Sequence, residues 1–223
     1  FLDEIQMVEE FERAINSFHA TKNVSIFITG SNSRQLSGEL ATLLSGRYVS
    51  FRVMPFRFQE MCEMLGVKKE EASEKELMDY ITWGGMPQRF YFKTEEEIKV
   101  FMTDLYDSIV LKDIFWRGQV KDIDLLNRLL EYIVLNPSQT FSPTSIAKYF
   151  ESVNRKVATE TIYNYMEKII SAMIMNKAMR YDIRGKRVLT RFDKYYLTDV
   201  GFGKIKNTGF KTEIGALIEN VVY

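Results

Sequence analysis

With 223 residues, 46% hydrophobic and 27% charged, the chain has the composition of a globular protein of one or two domains. A single cysteine, Cys62, excludes an internal disulfide, and one histidine, His19, with no clustered cysteines excludes a His/Cys zinc site. The net charge is zero but unevenly spread: residues 1–121 hold 15 Lys/Arg against 19 Asp/Glu, and residues 122–200 hold 12 against 9. Two modules are therefore expected, with only the second mildly suited to a polyanion.

The chain opens on Phe1-Leu2-Asp3-Glu4-Ile5-Gln6, the pattern of a buried strand that delivers two carboxylates to its carboxyl edge. In open parallel sheets ligands bind at that edge. In a P-loop nucleotide hydrolase the first carboxylate, Asp3, helps hold Mg²⁺ and the second, Glu4, polarises the attacking water. A solvated Asp-Glu pair after an apolar start is the competing reading. Val8, Phe11, Ile15 and Phe18 share one face of a 3.6-residue period and predict a helix. Residues 24–29, rich in β-branched side chains, predict a short strand ending in Gly30-Ser31-Asn32-Ser33. Ser31 and Asn32 there can touch a γ-phosphate or orient a water, or can belong to an ordinary turn whose Ser33 caps the next helix. A helix over 35–44 and a third strand over 48–53 complete a strand-helix-strand-helix-strand order, a doubly wound α/β pattern. Arg47, just before that strand, can reach a phosphate or stand as a solvated flanking charge.

Pro55 closes the strand, and from Phe58 the chain reads as helical. The Gly84-Gly85-Met86-Pro87 run predicts a tight turn and a helix start. A core helix is expected over 95–116. Beyond it the rhythm changes. Residues 125–135 form one helix, Ser142-Pro143 caps and starts a second, and Thr159 or Thr161 opens a third. Residues 173–181 and 187–196, around Arg184-Gly185-Lys186, would pair as a hairpin. Three helices followed by a basic-tipped hairpin is the order of a winged helix-turn-helix, in which the third helix enters a major groove. Arg155, Lys156, Tyr163, Asn164 and Lys168 would face that groove, and Arg184, Lys186 and Arg187 would meet phosphates. Glu160 and Glu167 in the same helix weaken the DNA reading, and such modules also serve protein contacts alone.

Taken in order, the opening stretch with Ile28-Thr29-Gly30-Ser31-Asn32-Ser33, Leu44-Ser45-Gly46-Arg47, Met54-Pro55-Phe56-Arg57-Phe58-Gln59-Glu60, Gly84-Gly85-Met86-Pro87, Ser108-Ile109-Val110-Leu111-Lys112-Asp113-Ile114, Lys194-Tyr195-Tyr196-Leu197-Thr198-Asp199-Val200-Gly201 and Leu217-Ile218-Glu219-Asn220-Val221-Val222-Tyr223 resembles the prokaryotic AAA+ superfamily ATPases that carry a characteristic C-terminal domain of unknown function. The resemblance covers the whole chain. It implies a P-loop-type α/β core over 1–55, truncated at its N-terminus, and a helical lid and connector over 56–121. A winged helix would follow over 122–203, then the start of a nuclease-like region over 204–223, for a mostly α chain overall. Asp3 is similar to the Walker B aspartate on Mg²⁺ and Glu4 to the catalytic glutamate. Ser31 or Asn32 lies where the first sensor sits, and Arg47 resembles an arginine finger or phosphate contact.

One departure stands out. No glycine in the chain is followed by lysine and a hydroxyl residue, so the phosphate-cradling G-x-x-x-x-G-K-[ST] loop is not in these residues. The chain reads as a fragment of a longer ATPase. ATP and Mg²⁺ are expected for the parent, and weak or no ATP binding for this stretch alone. A DNA or protein partner through the winged helix and self-association through an uncovered sheet edge are also expected. No apolar run approaches the ~20 residues that cross a bilayer, and no signal peptide opens the chain. The cytoplasm is the expected compartment. The rival reading is a DNA- or protein-binding regulator whose nucleotide site is inactive or only a switch.

Overall fold

The structure is a computed structural model. It describes residues 1–30, 47–68, 71–116, 118, 120–179, 193–206 and 213–223. The helix expected over 35–44, Ser31, Asn32, Arg184, Lys186 and Arg187 lie outside these residues.

At the N-terminus Leu2 and Ile28 form a parallel bridge, with the Leu2 N–H donating to the Phe27 carbonyl and the Thr29 N–H to the Leu2 carbonyl. A 3-10 turn over Ile5–Met7 follows, then helix α1, Phe11–Thr21. The helix begins three residues later than the spacing of Val8 suggests, because Glu10 ahead of it takes a left-handed conformation that breaks the turn. Ile5 and Ile15 are buried against Phe11, Ile26, Ile28 and Tyr48, a small core of its own.

The third strand expected over 48–53 is not formed. Residues 47–57 form neither helix nor strand, and Val49, Phe51 and Val53 are 77, 82 and 87% exposed. A strand exists only through ladder hydrogen bonds to a neighbour, and among the described residues this segment forms no ladder. Among the described residues of this region, the Leu2–Ile28 bridge is the parallel pairing that is formed.

From Phe58 the chain is helical. Helix α2 is Phe58–Met64 and α3 is Glu74–Trp83, opened by a Ser73 capping box with Glu76. A 3-10 turn over Pro87–Tyr91 leads to α4, Glu95–Ile109, capped by Thr94 and Glu97. The helix expected over 95–116 changes character at Val110, where it widens into π turns through Trp116.

Helices α5 (Ile123–Leu135), α6 (Pro143–Ser152) and α7 (Thr159–Ser171) carry the main core. Leu126, Leu129, Leu130, Ile133 and Val134 of α5 pack with Ile146 and Phe150 of α6 and with Ile162, Met166 and Ile169 of α7, all 2% exposed or less. Full burial of such side chains contributes about 1.5–3 kcal/mol each. Ser142 caps α6 and Pro143 takes its first position.

Strands β1 (Met175–Ala178) and β2 (Lys194–Leu197) then pair antiparallel, Met175 opposite Leu197 and Ala178 opposite Lys194. Thr140, between α5 and α6, bridges to Lys194 as a third short contributor. Helix α8 (Gly201–Lys206) packs on α3, α4 and α5 with Phe202 fully buried. Helix α9 (Ile214–Val222) lies beside β2, where Asn220 bonds Leu197. Among the described residues, no helix is long and apolar enough to cross a membrane.

Candidate functional site

The two carboxylates of the opening stretch stand where strand logic puts them. Pairing of Leu2 with Ile28 places Asp3 and Glu4 at the carboxyl end of one segment and Thr29 at the same end of its neighbour. The Thr29 hydroxyl donates to an Asp3 carboxylate oxygen, and the Glu4 N–H donates to the same hydroxyl at 3.3 Å. The Ile5 N–H donates to the Thr29 carbonyl at 3.2 Å. Glu4 has φ 49°, a left-handed conformation that few non-glycine residues adopt. Both carboxylates are exposed. Thr29 is the member that sequence reasoning passed over. It was counted as part of the strand, while the polar residues after it drew attention.

Arg47 is exposed at the head of the segment 47–57. Nine residues on, at Phe56, that segment enters a buried polar cluster. The Phe56 N–H donates to the Gly85 carbonyl at 2.8 Å, and the Tyr80 hydroxyl donates to the Phe56 carbonyl at 2.7 Å. Burial pushes the Tyr80 phenol up to about 12, so it stays a donor at any ordinary pH. The Gly85 N–H donates to Asp199 Oδ2 and the Gly201 N–H to Asp199 Oδ1, both at 2.8 Å.

Asp199 is 3% exposed, and Arg89, 2% exposed, lies beside the same turn. Arg89 donates from Nε to the Gly84 carbonyl at 2.7 Å and from Nη2 to Asp79 at 2.9 Å, with its guanidinium 4.1 Å from the Phe90 ring centre. Burial pushes the Asp199 carboxyl up to about 6, against the pull of the Gly85 and Gly201 N–H groups and the Arg89 charge.

Gly84, with φ 75°, makes the approach possible. A Cβ there would sit 1.7 Å from Asp199 Oδ1, and one on Gly85 would sit 1.9 Å from the Phe56 carbonyl oxygen. The sequence showed the glycine pair as a turn. Asp199 stands in the stretch Lys194 to Gly201 that carries the resemblance, but the sequence gave no sign of its bond to Gly85, 114 residues away.

On α7 the expected groove residues divide. Lys156, Tyr163 and Asn164 are exposed. Lys168 is half-buried, its stem passing over Gly118. Arg155 is committed elsewhere: its guanidinium bonds Asp122 at 2.8 Å and also bonds Asp124. The Leu125 N–H and then Arg155 hold the Asp122 carboxyl below the usual carboxylate range, and Arg155 does the same to Asp124. A groove of about 840 Å³ lies between α6, α7 and the strand pair, floored by Phe141, Tyr163, Met166 and Tyr195. Its charged rim mixes Lys148 and Lys177 with Glu160, Glu167 and Asp193. A rim with more carboxylates than amines does not attract a phosphate backbone by charge alone. Among the described residues no group of three or more His, Cys, Asp or Glu is arranged to hold a metal.

Comparison with known proteins finds two matched domains along the chain. Residues 1–62 match an AAA domain, and residues 74–208 match the domain of unknown function DUF8612. The chain is 34% identical over its whole length to an uncharacterized protein of Haemophilus influenzae, of which it covers 56%. It is 28% identical, again over its whole length, to an uncharacterized protein of Methanocaldococcus jannaschii, of which it covers 51%. The chain thus spans about half the length of the curated relatives it matches. With more than half of its residues in one matched domain and the carboxylate edge in the other, the chain belongs to the DUF8612 family, with a match to an AAA domain ahead of that domain.

Proposed function

We infer that residues 1–62 are the Walker B side of an ATP-hydrolysing site, and that residues 122–203 form a winged helix-turn-helix moved by it. The observation that carries this reading is the Leu2–Ile28 parallel bridge, which aligns Asp3, Glu4 and Thr29 at one edge. Asp3 would hold Mg²⁺. One carboxylate fits the ion's habit of taking one or two protein oxygens and completing its shell from phosphates and water. When bound, Mg²⁺ neutralises charge developing on the transferred phosphoryl group. The Thr29 hydroxyl orients the Asp3 carboxylate. Glu4 accepts a hydrogen bond from the attacking water and takes its proton. Arg47, exposed at the head of its segment, would contact a phosphate, and Ser31 or Asn32, which lie outside the described residues, would take the sensor role. The cradling lysine comes from outside these 223 residues.

In the whole protein, Glu4→Gln should lower ATP turnover by about 10²–10⁴-fold and leave nucleotide binding intact by calorimetry. Turnover equal to wild type removes Glu4 from the reaction.

The exposed Tyr163 and Asn164 on α7 and the groove beside them favour a second reading, a macromolecule-binding module whose nucleotide site is only a switch. The order α5, α6, α7, β1, β2 supports the winged-helix assignment on which it depends. Duplex DNA held by several phosphate contacts loses affinity steeply as salt rises. Titration by fluorescence anisotropy at two ionic strengths decides. Binding that ignores salt, or none at low salt, points to a protein partner.

A further inference from the structure

Asp199 is a buried carboxylate that the hydrolytic reading does not use. It is nonetheless built in with care. Three glycines let three stretches of backbone close on it: Cβ atoms on Gly84, Gly85 and Gly201 would meet Asp199, the Phe56 carbonyl and the Trp83 carbonyl at 1.7, 1.9 and 2.4 Å. A buried charge of this kind is costly and is held only by fixed donors.

What it holds is the end of the segment 47–56. The Gly85 N–H is taken by Asp199, while the Gly85 carbonyl accepts the Phe56 N–H. A second fastening lies four residues earlier. The Arg52 guanidinium donates to the Asn176 side-chain oxygen, and the Asn176 amide donates to the Thr198 hydroxyl at 3.1 Å. Thr198 and Asp199 are neighbours in the chain. The segment headed by Arg47 is therefore tied at two points, through Phe56 and through Arg52, to one dipeptide that leads directly into α8. That helix packs on α3, α4 and α5.

We propose that Thr198-Asp199 is the mechanical coupling point of the molecule, with Asp199 a positioning residue that transmits displacement of residues 47–56 in the AAA region to α8 and the α5–α7 bundle. The nucleotide-driven part of this proposal rests on the ATPase reading above, whereas the tether itself does not.

Hydrogen exchange on the whole protein tests the two parts separately. The first arm uses no nucleotide. Asp199→Asn keeps the size but offers one acceptor oxygen where the carboxylate offers two. Exchange at both the Gly85 and the Phe56 amides should rise by about tenfold, the loss of one buried hydrogen bond, while α5 amides stay protected. If the Gly85 amide loosens and the Phe56 amide does not, the tether does not transmit and the proposal fails. Asn176→Ala cuts the second fastening at a half-buried position and serves if Asp199→Asn does not fold. It should loosen the backbone at Arg52 and at Thr198 together, and an unchanged pattern overturns the proposal.

The second arm compares ATP with ADP. In wild type the exchange of residues 123–206 should differ between the two nucleotides. In Asp199→Asn that difference should vanish with ATP affinity changed by less than about twofold. A difference that survives the loss of Phe56 protection overturns the coupling. A wild type that binds no ATP overturns the ATPase reading alone, and the first arm still decides the tether.

Discussion

Asn220 stands in for a strand beside Leu197. Its side-chain oxygen accepts the Leu197 N–H at 2.8 Å and its amide donates to the Leu197 carbonyl at 2.9 Å, so one side chain of α9 satisfies both backbone groups of a residue 3% exposed. Around it Tyr223 stacks on Tyr196 at 3.8 Å, and Lys194 pairs with Glu219.

Asn220→Ala should therefore cost about 2–3 kcal/mol, because it strands a buried donor and a buried acceptor together. Asn220→Asp keeps the acceptor, loses the donor and sets a charge against the Leu197 carbonyl, so it should be no better tolerated. Urea midpoints of the two variants check this. Losses under about 0.5 kcal/mol would mean that water replaces the side chain freely.

The raised Asp199 carboxyl gives a stability with a definite pH sense. Its folded value of about 6 lies above its ordinary value of 3.8, so the native state binds more protons than the unfolded chain between those limits. This group's contribution to stability is present in full below the lower limit and declines as pH rises through the folded value. The advantage of wild type over Asp199→Asn should be larger at about pH 4.5 than at about pH 7. Denaturant midpoints at the two pH values measure it. An advantage that grows with pH would show that the carboxyl is held ionised throughout.

Arg89 uses the planar fork of a guanidinium, one nitrogen on the Gly84 carbonyl and another on Asp79, over the face of Phe90. A lysine has one nitrogen and no plane. Arg89→Lys should cost about 1–3 kcal/mol, nearly as much as Arg89→Ala, through the unsatisfied Gly84 carbonyl. Asp79 is 42% exposed, so Asp79→Asn should cost less than about 1 kcal/mol. Thermal midpoints rank the three, and a harmless Arg89→Lys would show that charge alone is required there.

Thr29→Val removes a hydroxyl and keeps the β-branched shape. Thr29 is exposed, so stability should change by less than about 0.5 kcal/mol. In the whole protein, ATP turnover should fall by roughly tenfold as Asp3 loses its donor and its fixed orientation. Turnover at the wild-type rate would separate Thr29 from the site.

Local features were legible and long-range ones were not. The aliphatic stripe of α5, the Ser142-Pro143 start of α6 and the Gly84-Gly85 turn all follow from residues within a few positions of each other, and each stands where the spacing puts it. Residues 48–53 have the composition of a strand, but strand pairing needs a neighbour and composition cannot supply one. Arg155 looked available beside α7, but the carboxylates that occupy it are 33 and 31 positions away. Asp199 lies in the Lys194 to Gly201 stretch that carries the family resemblance, but nothing nearby in sequence shows that Gly85 will close on it. The roles of Ser31, Asn32 and the basic hairpin tip fall outside the described residues.

The span of that closure also sets a clock on the ribosome. At about 5–20 residues per second, the 114 residues between Gly85 and Asp199 take roughly 6–23 s to appear. Throughout that interval the Gly85 amide has no carboxylate to meet, and the backbone that closes on Asp199 stays hydrated. The fastening of this segment to Thr198-Asp199 can form only when the domain behind it is almost fully made.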